Sequence, residues 1–111
     1  MYHQSVVTKS QIRQFCRRIA KDYHPQKVVL FGSHANGKPN GDSDVDLLVI
    51  LPFTGEPVDR SVEMRLKLRP PFPVDLLVRT PEMIARRLKM GDPFMREIVE
   101  HGKVMYERPV H

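Results

Sequence analysis

The pentapeptide Val-Asp-Leu-Leu-Val occurs twice in this chain, at 45–49 and again at 74–78. Short apolar runs rich in Val, Leu and Ile read as buried strands. The first, "VDLLVIL" (45–51), is closed by Pro52, and the second, "VDLLVRT" (74–80), runs into Pro81. A third such run, "KVVLF" (27–31), stops at Gly32. Strands this short and apolar need helices to cover them, and the intervening segments have helical spacing. Residues 9–22 place Ile12, Phe15, Cys16 and Ile19 at i, i+3, i+4 and i+7, the stripe of an amphipathic helix. Ser10 is the expected cap and Pro25 the stop. A second helix is expected over 58–69, with Val62 and Leu66 inward and Met64 and Leu68 as the other candidates. A third spans 81–90, with Thr80 as N-cap, Pro81 at N1 and Glu82 in the first turn. A fourth spans 92–101, capped by Asp92, with Phe94, Met95 and Ile98 inward. A last short strand covers 103–107, followed by a frayed "RPVH".

The predicted order is α-β-β-α-β-α-α-β. That is an α/β (α+β) arrangement, a mixed sheet with helices packed against it. The 111 residues suffice for one compact domain, 1–111, and are too few for two. A composition of 41% hydrophobic and 28% charged residues is that of a globular chain and argues against disorder. Cys16 is the single cysteine, which excludes an internal disulfide framework and a Cys-based zinc site; its place on the helical stripe makes it a core thiol. No apolar run reaches membrane-spanning length and the N-terminus has no signal-like apolar core, so the expected location is the cytoplasm, with no membrane partner. The net charge of +5 is spread over several segments and reads as solvated helix faces rather than a surface for direct nucleic-acid binding.

The aspartates carry the chemical signal. Side chains alternate along a strand, so Asp44 and Asp46 fall on one face and Val45 on the other. Asp75 has the same context, just before "LLV" on another strand. Were these strands neighbours, three carboxylates would converge at one end of the sheet and repel one another. A hard divalent cation, Mg²⁺ or alternatively Mn²⁺, removes that cost and favours oxygen ligands. Such a site suits one or two ions bound with a nucleotide, stabilising an in-line phosphoryl or nucleotidyl displacement. Gly32 lets the chain turn sharply after its strand and approach a ligand closely, and Ser33 adds a hydroxyl and an N–H. Alone, a Gly-Ser pair is usually just a turn and Asp-Ser-Asp a solvated loop. Their combination at this spacing is what carries weight.

The segment 28–50 resembles the signature of DNA polymerase beta-like nucleotidyltransferases in their minimal (MNT) form: Gly32-Ser33, Ala35, Gly37, a loop, then Ser43-Asp44-x-Asp46-Leu47, with Asp75 at the third acidic position. The tail "DPFMREIVEHGKVMYE" is similar to the end of these small domains, so the resemblance covers about 28–107. It implies that Gly32 and Ser33 contact NTP phosphates, that Asp44 and Asp46 bind Mg²⁺, and that Asp75 completes the metal site and is the candidate base. Stand-alone members resemble antitoxins paired with a helical HEPN RNase toxin, which implies transfer of AMP from ATP to a toxin tyrosine. The alternatives are a small-molecule or RNA acceptor, and a non-catalytic antitoxin acting by contact. A homo- or hetero-oligomer is compatible with each. One departure stands out: many members carry Arg where this chain has Asn36, and His34 and Lys38 are the nearby side chains that would compensate, though both read as solvated loop residues. The five histidines (3, 24, 34, 101 and 111) show no ligand spacing and read as surface. Tyr2, Tyr23 and Tyr106 read as boundary or core packing, and Met64, Met83, Met90, Met95 and Met105 as core filler.

Overall fold

The structure is a computed structural model, and it describes residues 6–39 and 43–109. Tyr2, His3, His111 and residues 40–42 lie outside the described residues. The order is α1 (Lys9–Tyr23), β1 (Lys27–Phe31), β2 (Val45–Ile50), α2 (Pro57–Leu68), β3 (Val74–Arg79), α3 (Pro81–Lys89), α4 (Pro93–His101) and β4 (Lys103–Glu107). This is the succession expected from sequence.

The four strands form one mixed sheet in the order β3-β2-β1-β4. β1 is antiparallel to both β2 and β4, and β2 is parallel to β3. The parallel pair requires a crossover, and α2 supplies it. Both faces are covered. Val28 and Leu30, Val45, Leu47 and Val49, and Val74, Leu76 and Val78 join Ile12, Phe15, Cys16 and Ile19 of α1 and Met64 and Leu68 of α2 in the larger core. The alternate residues Val29 and Leu48 meet Ile84 of α3 and Met95 and Ile98 of α4 on the other face. Strands buried on both sides explain why the sequence shows continuous apolar runs rather than alternation.

The helix ends follow local chemistry, with one correction. Thr8, not Ser10, caps α1: its hydroxyl accepts from Gln11 N at 3.1 Å, and the Gln11 side chain accepts from Thr8 N at 2.7 Å. The helix ends at His24 in the left-handed region, just before Pro25. Thr80 and Asp92 cap α3 and α4 as expected, each with proline at N1.

Three side-chain expectations are corrected. In α2, Val62 and Leu66 face solvent, whereas Met64 and Leu68 are buried. Both pairs have i, i+4 or close spacing, and β3 is packed by the second. Phe94 is 54% exposed, its ring set edge-to-face on Phe31 at 5.8 Å between centroids. Met90 is exposed rather than core, past the end of α3. The C-terminal end is also better fixed than expected up to Arg108, whose N–H donates to Gln26 O at 2.9 Å and whose guanidinium donates to His24 O.

Candidate active site

Register decides which side chains meet. In the antiparallel ladder Phe31 faces Asp46, and in the parallel ladder Asp46 faces Asp75. One row of the sheet therefore reads Phe31, Asp46, Asp75 across β1, β2 and β3. All three lie at the end where β1 finishes and β2 and β3 begin. They project on the α3/α4 face, because Val45, Leu47, Val74 and Leu76 occupy the other. Asp44 stands one step before β2 and is exposed. The sequence predicted that the carboxylates would converge if the strands were neighbours; the strands are neighbours, and Asp46 and Asp75 are direct partners.

Negative charge gathers at this row. Asp46 has its carboxyl pushed above the ordinary aspartate range, first by partial burial, then by Asp75 and Asp44, with His34 pulling the other way. Among the described residues, no three His, Cys, Asp or Glu groups are gathered closely enough to form a ready metal cage. The aspartates are an electrostatic cluster, not a finished coordination shell. Their donor set is oxygen only, which fits a hard divalent cation better than a soft one.

The turn after β1 is built around Gly32, at φ +77°. A Cβ placed there would lie 2.3 Å from Asp46 Oδ2. Glycine is required twice over: for the backbone angle, and for the carboxylate lying against its α-carbon. The chain then makes one tight turn, with Ala35 N and Asn36 N both donating to Gly32 O at 3.1 Å, and Lys38 N to Ser33 O at 3.1 Å. The first amides of such a turn have no partner within it.

His34 corrects the reading of a solvated loop residue: it is buried. Its Nε2 lies 3.3 Å from the Ser43 carbonyl oxygen, which can only accept, so that nitrogen carries the proton. The contact ties the start of the loop to its return just before Asp44. Nothing in the sequence around His34 separates it from the exposed histidines; only closure of the loop reveals its role. Asn36 and Lys38 are exposed.

A cavity of about 180 Å³ adjoins this turn, between Gly32, Asn36 and α4. A larger one of about 500 Å³, beside Lys27, Ile50, Leu88 and Glu107, lies at the opposite end of the strands and away from the aspartates. Size alone would choose the wrong place; charge and backbone geometry choose the row of Asp46.

Comparison with known proteins gives the family. Residues 9–105 match the family model described as Nucleotidyltransferase domain. The chain belongs to the nucleotidyltransferase domain family. A Methanocaldococcus jannaschii relative, described as a "putative protein adenylyltransferase", is 26% identical over 98 residues, which span 86% of this nucleotidyltransferase and 94% of the relative. Among solved structures, a "putative nucleotidyltransferase" from Sulfolobus solfataricus superposes with a TM-score of 0.62 at 20% identity, covering 89% of this chain and 79% of that one. A toxin-antitoxin structure with AMP-PNP gives 0.54 at 20% identity, covering 86% and 73%. The toxin-antitoxin MntA-HpeT, solved as a double Asp-to-Glu mutant, gives 0.52 at 18% identity, covering 92% and 75%. At these identities the solved structures establish that the nucleotidyltransferase shares their fold.

Proposed function

We propose that this nucleotidyltransferase is a Mg²⁺-dependent protein adenylyltransferase acting as an antitoxin, moving AMP from ATP to a tyrosine hydroxyl of a helical HEPN-type toxin. The observation that carries the reading is the facing pair Asp46–Asp75 beside Gly32. The relative described as a protein adenylyltransferase and the toxin-antitoxin fold neighbours support it. So does the MntA-HpeT variant, whose two Asp-to-Glu changes are two positions apart, the spacing of Asp44 and Asp46.

Asp44, Asp46 and Asp75 would hold the cation, with Mn²⁺ the alternative to Mg²⁺. When bound, the ion supplies charge neutralisation for the triphosphate and the leaving group. Gly32 brings the backbone close enough for the turn's amides, with the Ser33 hydroxyl, to receive phosphate oxygens. His34 holds the far side of the loop in place. Asp75, on edge strand β3, is open to an acceptor and is the candidate base for its hydroxyl proton. The bond from the acceptor oxygen to the α-phosphorus forms as the α-phosphorus bond to the bridging oxygen breaks. The proton passes to Asp75 and pyrophosphate leaves. Asn36 leaves the phosphate loop without a guanidinium, so affinity for triphosphate rests on the backbone and the ion.

The test uses ATP labelled at the α-phosphate, Mg²⁺, this protein and its host extract, beside an Asp44→Ala/Asp46→Ala variant. A labelled protein with the wild type only is expected. Label in a small molecule or in nucleic acid would redirect the acceptor class. No label, with the partner present and unmodified, would leave a contact-only antitoxin.

A further inference from the structure

Phe94 is a large aromatic side chain left more than half exposed beside the carboxylate row, and core packing does not account for it. Its ring meets Phe31 edge-to-face, and Phe31 is the ladder partner of Asp46. Together with Ile98 the two rings wall an apolar cavity of about 180 Å³ whose other side is the Gly32–Asn36 turn. Asn36, Glu97 and His101 stand at its rim. That volume is below the roughly 300–1,000 Å³ typical of complete small-molecule sites. It fits one planar ring system with the rest of the ligand outside.

We infer that this cavity receives the purine base of the donor nucleotide, stacked on Phe94. The inference deepens the proposed function and rests on it. Geometry selects the donor over the acceptor. An in-line displacement puts the attacking oxygen and the departing pyrophosphate on opposite sides of the α-phosphorus. Asp75, the candidate acceptor base, lies on the β3 side of Asp46. The cavity lies on the β1 side and shares Gly32 with the turn that receives the phosphates. A ring placed there belongs to the molecule that carries those phosphates. The rim also matches a purine edge: the Glu97 carboxylate accepts from an exocyclic amine, while the Asn36 amide and a His101 N–H donate to ring nitrogens. An aromatic face with polar groups at its edge is how proteins hold bases outside a duplex. Asn36 thereby gains a role that a phosphate-binding arginine would not fill.

The test measures binding by calorimetry in Mg²⁺, with ATP and with inorganic tripolyphosphate, which has the same phosphates and no base. Variants are Phe94→Ala and the aromatic rescue Phe94→Tyr; Phe94 is exposed, and thermal unfolding of each confirms the fold. The expectation is that Phe94→Ala weakens ATP about tenfold, within the range of one base–aromatic contact. Tripolyphosphate binding stays unchanged, Phe94→Tyr restores ATP binding, and the loss appears in KM for ATP rather than in kcat. Unchanged ATP binding in Phe94→Ala overturns the inference, as does an effect confined to transfer, which would assign the ring to the acceptor. Equal wild-type affinity for ATP and tripolyphosphate overturns the base site while leaving the phosphate and carboxylate reading in place. Binding of neither removes both.

Discussion

Gly32→Ala separates backbone cost from chemical cost, because the chain carries its own control. Gly32 and Gly37 sit in the same turn at nearly the same angle, φ +77° and +73°. Alanine in the left-handed region costs roughly 1–2 kcal/mol. Each variant should therefore lose about that much stability, and in a domain of this size each kcal/mol lowers Tm by about 4–8 °C. The surroundings differ. A Cβ at Gly37 meets nothing within 4 Å, whereas at Gly32 it would lie 2.3 Å from Asp46 Oδ2 and 3.2 Å from Asp46 Cγ. The carboxylate is the movable partner, so it must swing out of the row it shares with Asp75. Displacements of about 1 Å in a positioned group cost on the order of 100-fold in rate. Gly32→Ala should thus lose nucleotidyl transfer by about two orders of magnitude, and Gly37→Ala should keep most of it, at matched stability. The assays are chemical denaturation and release of pyrophosphate, both below the lower of the two Tm values. Equal activity in the two variants would falsify the placement of the Asp46 carboxylate against Gly32.

Asp46 has a raised pKa in the folded state, so its stabilising contribution is full when it is protonated and is lost as pH rises through its folded pKa. The metal-free protein should lose stability over that rise, Asp46→Asn should flatten the loss while abolishing transfer, and added Mg²⁺ should restore the wild type; Tm against pH, with and without Mg²⁺, reads all three. Leu68→Ala should cost about 2–5 kcal/mol and Leu66→Ala less than about 0.5 kcal/mol, because the first is buried and the second is 72% exposed; urea midpoints decide. Gly102→Ala should destabilise by about 1–3 kcal/mol, since its Cβ would lie 2.4 Å from Ile98 O and 2.5 Å from Val29 Cγ1; a wild-type Tm would show that the α4–β4 turn is looser than described. The Cys16 thiol, pushed by burial up to about 12, should resist a thiol reagent at pH 8 and react only on unfolding.

Much of this molecule is written in short-range signals. Prolines beside most segments, Gly32 after β1, and the Thr80 and Asp92 caps mark element boundaries because backbone geometry enforces them locally. The identity of the carboxylates was legible for the same reason, since Asp-x-Asp before an apolar run has few packing uses. Their meeting was not. It depends on β2 and β3 pairing in parallel with Asp46 opposite Asp75, and pairing partners leave no mark in one sequence. The helix 57–68 shows the limit of periodicity. Val62 and Leu66 form an i, i+4 pair, as do Met64 and Leu68, and the two pairs lie about 200° apart around the helix. Apolar spacing endorses both faces equally; only the position of β3 chooses between them. His34 and Phe94 were misjudged from the opposite direction. His34 reads as solvent-facing from its polar loop and Phe94 as core from its place on the helix, and the loop or ring each packs against reverses the reading.

The shared row of Phe31, Asp46 and Asp75 ties the proposed active site to correct assembly. Moving β2 by one residue against its neighbours would turn Asp46 into the core and Val45 toward solvent. The same slip would carry Leu48 and Val49 to each other's faces, so the error would dismantle hydrophobic packing and active centre together. A copy with the wrong pairing has no route to partial competence. With the site placed on that row, turnover becomes a report on folding: a working molecule is one whose strands have found their partners.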